Sequence, residues 1–456
     1  MKNFKYYFGI FFCSLTSILV GCEDFLDKKS NSSFAVPETV KDLRALLDNE
    51  DQINRYAPAL LEMGNDDIFV KPDVLRSRPE GEQLIYTWQQ NENRSEIASW
   101  SSPYKTIMLC NVVLESLQRG ITGDEKLKKI LQGEALFVRS YAFLSLAQIY
   151  CKPYDAIGSK NDLGLPLRLT SDFNVYIRRS TLEETYNQIV DDLTKSVDLL
   201  PDQVEVTTRP SKAAAYGALS RLYLLMQNYY EANEAAKNAL SYNNELLDYN
   251  NLNATSAFPL GIFNKEVIYY SFTSQGLLLT AARALIPSSL YNLYDDNDLR
   301  KQIYFVKSTA GDITFKGYYS GRSSSYFAGI CTDELYLIRA ECEARLGNIP
   351  EGRNLLNYLL ERRWKKDLFT TYAMTNYLEL INTILMERRK QLVRRGLRWS
   401  DLRRLNTEDN FKTILRREIY FQGDTTIYEL EPNAIQYTYP IPLPIMEWGG
   451  YIQNPI

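Results

Sequence analysis

Two stretches of this chain repeat one spacing of large and small residues, and that spacing admits few folds. Tyr216, Leu219, Tyr223, Ala232, Ala236 and Ala239 stand at offsets 0, 3, 7, 16, 20 and 23, and Gln227-Asn228 falls between the two halves. Large residues at three-to-four spacing, a turn, then small residues at the same spacing describe two antiparallel helices packed face to face. A second copy runs from Asp333 to about Arg363. Tyr336 and Ala340 lie on its first half, Gly347-Asn348 makes the turn, and Gly352, Leu356 and Leu359 take the later offsets. A helix pair of this kind cannot bury its apolar face alone, so each copy must stack on a neighbour.

The pattern resembles the tetratricopeptide repeat, and more helix surrounds it. Glu134 to Tyr150 is apolar almost all round and is expected at the centre. Leu182, Tyr186, Ile189, Leu193, Val197 and Leu200 mark another helix, ended by Pro201. Ser180 and Glu183 have capping-box spacing at its start. Gly164 to Leu167 reads as a loop. Helical periodicity fades from about Leu246 to Ile330, where Gly, Ser, Asn and Tyr rise. Glu266 to Phe272 and Asp312 to Tyr319 are strand candidates within this insertion. Residues 65–100 form another irregular zone, the first of the two along the chain. Loops set on a rigid helical scaffold are the expected place for binding.

The first 21 residues are read as a leader. Lys2 and Lys5 precede an apolar run from Tyr6 to Val20, long enough for a signal-peptide core and short for a membrane span. Gly21-Cys22 looks like a bacterial lipobox, which implies cleavage before Cys22 and diacylation of its thiol. Two acyl chains give stable anchoring. The other reading is an ordinary signal peptide in which Cys22 is incidental. Residues 22–33 then form a polar tether, with Glu23 and Asp24 resembling a surface-export signal. Residues 34–456 are expected to fold as a single domain, with its loop-rich insertion at about 246–330.

Composition excludes several functions. The chain has no histidine, which removes Ser-His-Asp and Cys-His catalysis and His-ligated zinc. A carboxylate pair of the glycosidase kind survives this test, but nothing singles out two of the 56 acids. Loss of Lys2 and Lys5 takes the formal charge from -4 to -6, which does not suit nucleic acid. Cys110, Cys151, Cys331 and Cys342 form no CxxC pair and read as buried thiols. The run Asp295 to Asp298 has oxygen ligands but lacks the spaced set and bidentate Glu of a calcium loop. No metal or other cofactor is expected.

Motifs in order along the chain resemble the SusD/RagB family of outer-membrane nutrient-binding lipoproteins. They are Trp100, Tyr104, Ile107 and Asn111; Gly133-Glu134-Ala135 with Arg139-Ser140-Tyr141; Gly164 to Leu167; Glu334 to Glu341 with Gly347-Asn348; and Tyr439 to Pro442 with Glu447 and Gln453-Asn454-Pro455. The most distinctive stretch is Glu387 to Leu392 leading to Gly396, Arg398-Trp399 and Asp401 to Arg404. Leu397 departs from the histidine common at that place, and the chain stops at Ile456 without the family's frequent Gly-Tyr tail.

The resemblance implies a mainly α fold, a tetratricopeptide-like scaffold carrying an irregular insertion with short strands. It implies a binding protein with no chemistry of its own. Such a protein is lipid-anchored at the cell surface and delivers oligosaccharide to a SusC-like TonB-dependent transporter. A peptide ligand, or a scaffold with no small ligand, are the alternatives. Sugars stack on aromatic faces while polar side chains take their hydroxyls. The expected ligand residues are accordingly Asp66, Asp67, Arg76, Arg78, Tyr86 and Trp88 from the first irregular zone. Tyr291, Tyr294, Tyr318, Tyr319 and Tyr326 are those from the insertion. Glu387, Arg388, Arg398, Trp399 and Asp401 are expected to be structural, fixing the last helices against the repeats.

Overall fold

Alanine and glycine set how closely the helices approach one another. In the computed structural model, which describes residues 37–273, 276–323 and 325–456, both expected helix pairs form. Helices α5 (Lys212–Leu225) and α6 (Tyr229–Tyr242) turn at Gln227-Asn228, and Ala232, Ala236 and Ala239 are fully buried between them and their neighbours. Asn228 caps α6 by accepting a hydrogen bond from the Glu231 N–H. Helices α7 (Thr332–Arg345) and α8 (Ile349–Glu361) turn at Gly347-Asn348. A Cβ on Gly352 would lie 2.8 Å from the Ala340 carbonyl oxygen, so this pair needs glycine to close. Helix α6 packs on α7 and joins the two pairs.

Three longer helices precede them: α2 (Ala98–Gln118), α3 (Glu125–Tyr150) and α4 (Leu182–Leu199), with α1 (Val40–Leu47) packed on α2 and α3. Every residue of α3 from Gly133 to Leu144 is buried, as its all-round apolar pattern predicts. The capping box of α4 lies one residue later than its sequence suggests. Thr181 accepts from the Glu184 N–H, and Glu184 accepts from the Thr181 N–H. Ser180 is instead tied to Thr185, its hydroxyl 2.7 Å from that of Thr185.

The insertion supplies strands only three residues long or shorter. Strand β1 (Val267–Tyr269) pairs antiparallel with β4 (Ile330–Cys331), and β2 (Phe305–Lys307) pairs with β3 (Ile313–Phe315). The chain ends with α9 (Tyr377–Gln391), α10 (Arg398–Leu405), a β5–β6 hairpin (Leu415–Phe421, Asp424–Leu430) and α11 (Leu443–Gly449). Residues Thr39–Ile456 make one compact unit. The leader, Cys22 and the tether lie outside the described residues. Among the described residues, no helix is long and apolar enough to cross a membrane. The four cysteines from Cys110 onward are free and buried.

Charge, as well as apolar packing, fixes the last helices to the second pair. Three acids of α7 point inward. Glu334 accepts two hydrogen bonds from Arg221, Asp333 two from Arg395, and Glu341 two from Arg404. Asp401 accepts from Arg388 at 2.8 Å and Arg404 at 2.9 Å. Glu387 pairs with Arg300 and Lys390, and Arg300 also holds Asp298. Of the residues expected to form one network, Arg388 and Asp401 pair with each other, Glu387 turns to Arg300 and Lys390, Arg398 reaches Asp66, and Trp399 is fully buried. The Asp295–Asp298 run is likewise occupied by its own neighbours. Asp298 pairs with Arg300 and Lys390, Asp296 pairs with Lys301, and Asp295 caps the Asn297 N–H.

Candidate functional site

Three separate segments meet at a cleft of about 270 Å³. Its walls are Asp66, Phe69 and Tyr86 from the first irregular zone, Pro287 and Ser289 from the insertion, and Arg389 with Ile414 to Glu418 from the last part of the chain. Backbone pairing holds the first two together. The Phe69 N–H donates to the Leu285 carbonyl at 2.8 Å, and the Leu285 N–H donates back at 2.9 Å. This bridge fixes Phe69, which is 40% exposed.

The third wall is the β5–β6 hairpin. Gln422 and Gly423, both at positive φ, make its two-residue turn. Its alternation sends Leu415 and Arg417 inward and Arg416, Glu418 and Tyr420 outward. Arg417 crosses under the cleft and donates to the backbone carbonyls of Tyr86 and Asn65. Its guanidinium lies 3.6 Å from the Tyr86 ring centroid and 4.3 Å from that of Trp88. Burial lowers the pKa of Arg417, yet its surroundings are carbonyls and π faces that suit a cation.

That one arginine closes the aromatic faces of Tyr86 and Trp88 to ligand. Trp88 and Tyr86, expected to stack on ligand, are buried at 3% and 2% exposure. Trp88 donates its indole N–H to the Gly64 carbonyl, and the Tyr86 hydroxyl accepts from the Val70 N–H. Arg417 covers their faces. They shape the cleft floor and offer no open platform.

The expected acids are engaged as well. Asp66 accepts from Arg398 at 2.7 and 2.9 Å and from Arg389 at 2.9 Å. Burial alone would raise its pKa, but the two guanidinium groups hold it well below the usual carboxylate range. Asp67 is buried against Arg389. Arg76 is exposed with its guanidinium on the Phe421 ring, and Arg78 pairs with Glu82.

The insertion tyrosines form core where a platform is expected. Tyr294, Tyr318, Tyr319 and Tyr326 are each 3% exposed or less. Tyr294 donates to the Lys390 carbonyl, Tyr319 to Glu266, and Tyr326 to the Leu279 carbonyl. Tyr318 packs on Phe315 and Tyr326. Tyr291 is half-buried, lies on Phe305 and carries Lys301 and Lys307 over its ring. The physical reason is shared. With so little regular structure, the insertion must bury large side chains of its own, and Tyr fills space while, in Tyr294, Tyr319 and Tyr326, its hydroxyl reaches a backbone or carboxylate partner.

The cleft therefore presents residues the sequence did not single out. Phe69 supplies an apolar face. Arg389, Arg416, Glu418 and Ser289 supply donors and acceptors around it, with Arg416 and Glu418 paired at 2.7 Å. The alternation of Leu415 to Phe421 before Gln422-Gly423 was a readable hairpin signal. Nothing local marks Phe69. This arrangement can stack a ring and satisfy its hydroxyls. Its acids are each paired with an arginine.

Comparison with known proteins gives the same frame. The SusD-like family described as "Starch-binding associating with outer membrane" matches residues 24–224, and the SusD family matches residues 286–455. A SusD superfamily protein from Bacteroides thetaiotaomicron superposes with a TM-score of 0.74 at 20% identity, over 92% of this chain and 100% of that one. One from Bacteroides vulgatus gives 0.74 at 20% identity, over 92% and 99%. A SusD-like carbohydrate binding protein from Bacteroides vulgatus gives 0.69 at 18% identity, over 91% and 97%. At these identities the likeness is one of fold. No protein of curated function matches the sequence.

Proposed function

The chain belongs to the SusD/RagB family, and from that premise we propose that it captures oligosaccharide at the outer membrane for nutrient uptake. The cleft between Phe69 and Arg416 is the capture site in this reading. The observation that carries it is the meeting of an exposed aromatic residue with unburied polar groups at a cleft where both irregular zones and the terminal hairpin converge. The structural relative that binds carbohydrate supports the ligand class. The proposed role is binding without turnover; Asp66 is held by Arg389 and Arg398, and Glu418 pairs with Arg416 at the surface.

The finer parts of the proposal come from the sequence. Cys22 carries two acyl chains and holds the chain to the outer membrane, facing the cell surface. Bound glycan passes to a SusC-like TonB-dependent transporter. The test is a glycan array with the purified chain, beside a pull-down from gently solubilised outer membranes. Binding of a soluble glycan, weakened about tenfold in Phe69→Ala, and recovery of a large β-barrel partner are expected. Absence of both would sink the reading in favour of a scaffold. Loss of fatty-acid labelling in Cys22→Ala checks the anchor.

A further inference from the structure

Large apolar side chains from two segments stand together in solvent beside α2. Phe173 is 78% exposed, Tyr176 69%, Trp448 83% and Ile452 67%, with Val175 at 41%. Tyr176 joins the segments. A Cβ on Gly450, which ends α11, would touch its ring at 3.9 Å, and its hydroxyl is 3.5 Å from the Gly450 carbonyl oxygen. Arg179 holds the Ile452 carbonyl at 3.0 Å. Of the five tryptophans, Trp448 alone stands mostly in solvent. None of these residues lines the cleft. So many large apolar groups in one place mark a contact surface.

The loop that carries Phe173 to Tyr176 is fastened at its base. Asn111 of α2 donates to the carbonyls of Arg168 and Thr170, and Glu115 of α2 accepts from the Ser171 N–H and hydroxyl. Arg168 turns its guanidinium to the carbonyls of Asp172 and Val175. The backbone is tied down while the rings stay in solvent. Exposed charge at the border is mixed, with Asp172 and Glu447 against Arg178. Apolar contact, and not net charge, must therefore select what covers the patch.

Where the chain enters the domain narrows the occupant. Thr39 pairs with Thr122 in the turn after α2, and Glu115 lies seven positions before Thr122. The entry point is thus within about 25 Å of the fastened loop. The chain from Cys22 to Thr39 reaches at most about 60 Å. An acylated Cys22 would hold this side of the molecule near lipid at a high effective concentration, so a contact weak in itself suffices. Trp and Tyr settle at the level of lipid headgroups, and Phe and aliphatic side chains enter the acyl boundary below. A sugar site would set polar groups beside the rings, whereas Val175 and Ile452 fill those places. We propose that Phe173, Val175, Tyr176, Trp448 and Ile452 form a second membrane contact, seated in the headgroup region of the lipid that holds Cys22. It rests on the anchor proposed above and decides which side of the domain faces the bilayer.

Trp448 reports on this directly. The lipidated mature chain is placed on phosphatidylethanolamine–phosphatidylglycerol vesicles, made with or without bromine on the upper acyl carbons, and flotation shows whether it is anchored. Trp448→Phe, measured alongside, subtracts the emission of the other tryptophans. A floating chain with bromine-dependent loss of the Trp448 signal is expected. Phe173→Ser combined with Tyr176→Ser should float equally, keep its urea midpoint and lose at least about threefold of that quenching, because two rings leave the interface. A chain that does not float overturns the anchor and this proposal together. A floating chain with Trp448 unquenched, or quenching unchanged in the double variant, overturns this proposal alone. Shielding of Trp448 only in the presence of a co-purified outer-membrane protein would also overturn it and give the patch to that protein.

Discussion

Arg398 donates to both carboxylate oxygens of Asp66, at 2.7 and 2.9 Å, across 332 positions of the chain. This fork ties the first irregular zone to the start of α10 and sets the wall of the cleft. The side chains are 21% and 14% exposed, between a surface pair and a buried one. Asp66→Asn should therefore cost about 2 kcal/mol, read from urea unfolding. With its oxygens held by Arg398 and Arg389, Asp66 is expected to act on ligand by positioning, and affinity in the folded fraction should change less than about twofold. A large affinity loss without a stability loss would return Asp66 to the role of direct ligand.

Glu341 makes the fold acid-sensitive in a defined window. Burial alone would raise its pKa, but Arg404 and Arg345 overcome this and bring it down to about 2 from an ordinary 4.5. A depressed carboxylate stabilises above the unfolded value, and that contribution is lost as pH falls through the folded one. Stability should then drop between pH 4.5 and 2. Asp298, Asp333 and Asp401, lowered by their own arginines against the pull of burial, act in the same direction. Glu62 opposes them, because burial raises its pKa and protonation relieves it. Glu341→Gln should lose about 3 kcal/mol at pH 7 and flatten the acid limb. Urea midpoints across pH for both proteins check this, and parallel curves would refute it.

Gly329 sits where the β1–β4 pair meets α5. A Cβ there would stand 1.9 Å from the Tyr269 carbonyl oxygen. The Gly329 carbonyl also accepts from Arg221, which binds Glu334. Gly329→Ala must push strand from strand and disturb that ion pair, at a cost of about 3 kcal/mol. Thermal unfolding would show it. Gly311→Ala, with open space around its Cβ and a φ of +90°, is the control and should cost about 1 kcal/mol from backbone strain alone.

The helix pairs were legible because their signal is local. The offsets from Tyr216 to Ala239 state the packing directly, and Gln227-Asn228 states the turn. The aromatics were not legible, because a tyrosine's sequence neighbours do not tell whether its ring faces solvent. Trp88 is covered by Arg417, 329 positions away, and Tyr326 ends on the Leu279 carbonyl. Tertiary contacts decide exposure, and pattern reading has no access to them. The capping box slipped by one residue because Ser180 and Thr181 both precede an acid three positions on. Only the loop's approach to Thr185 selects between them.

Phe69 and Trp88 then separate binding from stability. Trp88 is core, donates to Gly64 and lies under Arg417, so Trp88→Ala should cost about 3–5 kcal/mol and reduce binding only through loss of folded protein. Phe69 is 40% exposed and held by its backbone bridge to Leu285 instead of by its ring. Phe69→Ala should leave the urea midpoint nearly unchanged, within about 0.5 kcal/mol, while weakening glycan binding about tenfold through the lost stacking face. Calorimetric titration of an array-identified glycan into both variants, with unfolding curves on the same samples, gives the comparison. If Trp88→Ala stays stable and loses affinity while Phe69→Ala binds normally, the ligand enters from the Trp88 side and the cleft has been assigned to the wrong face of Arg417.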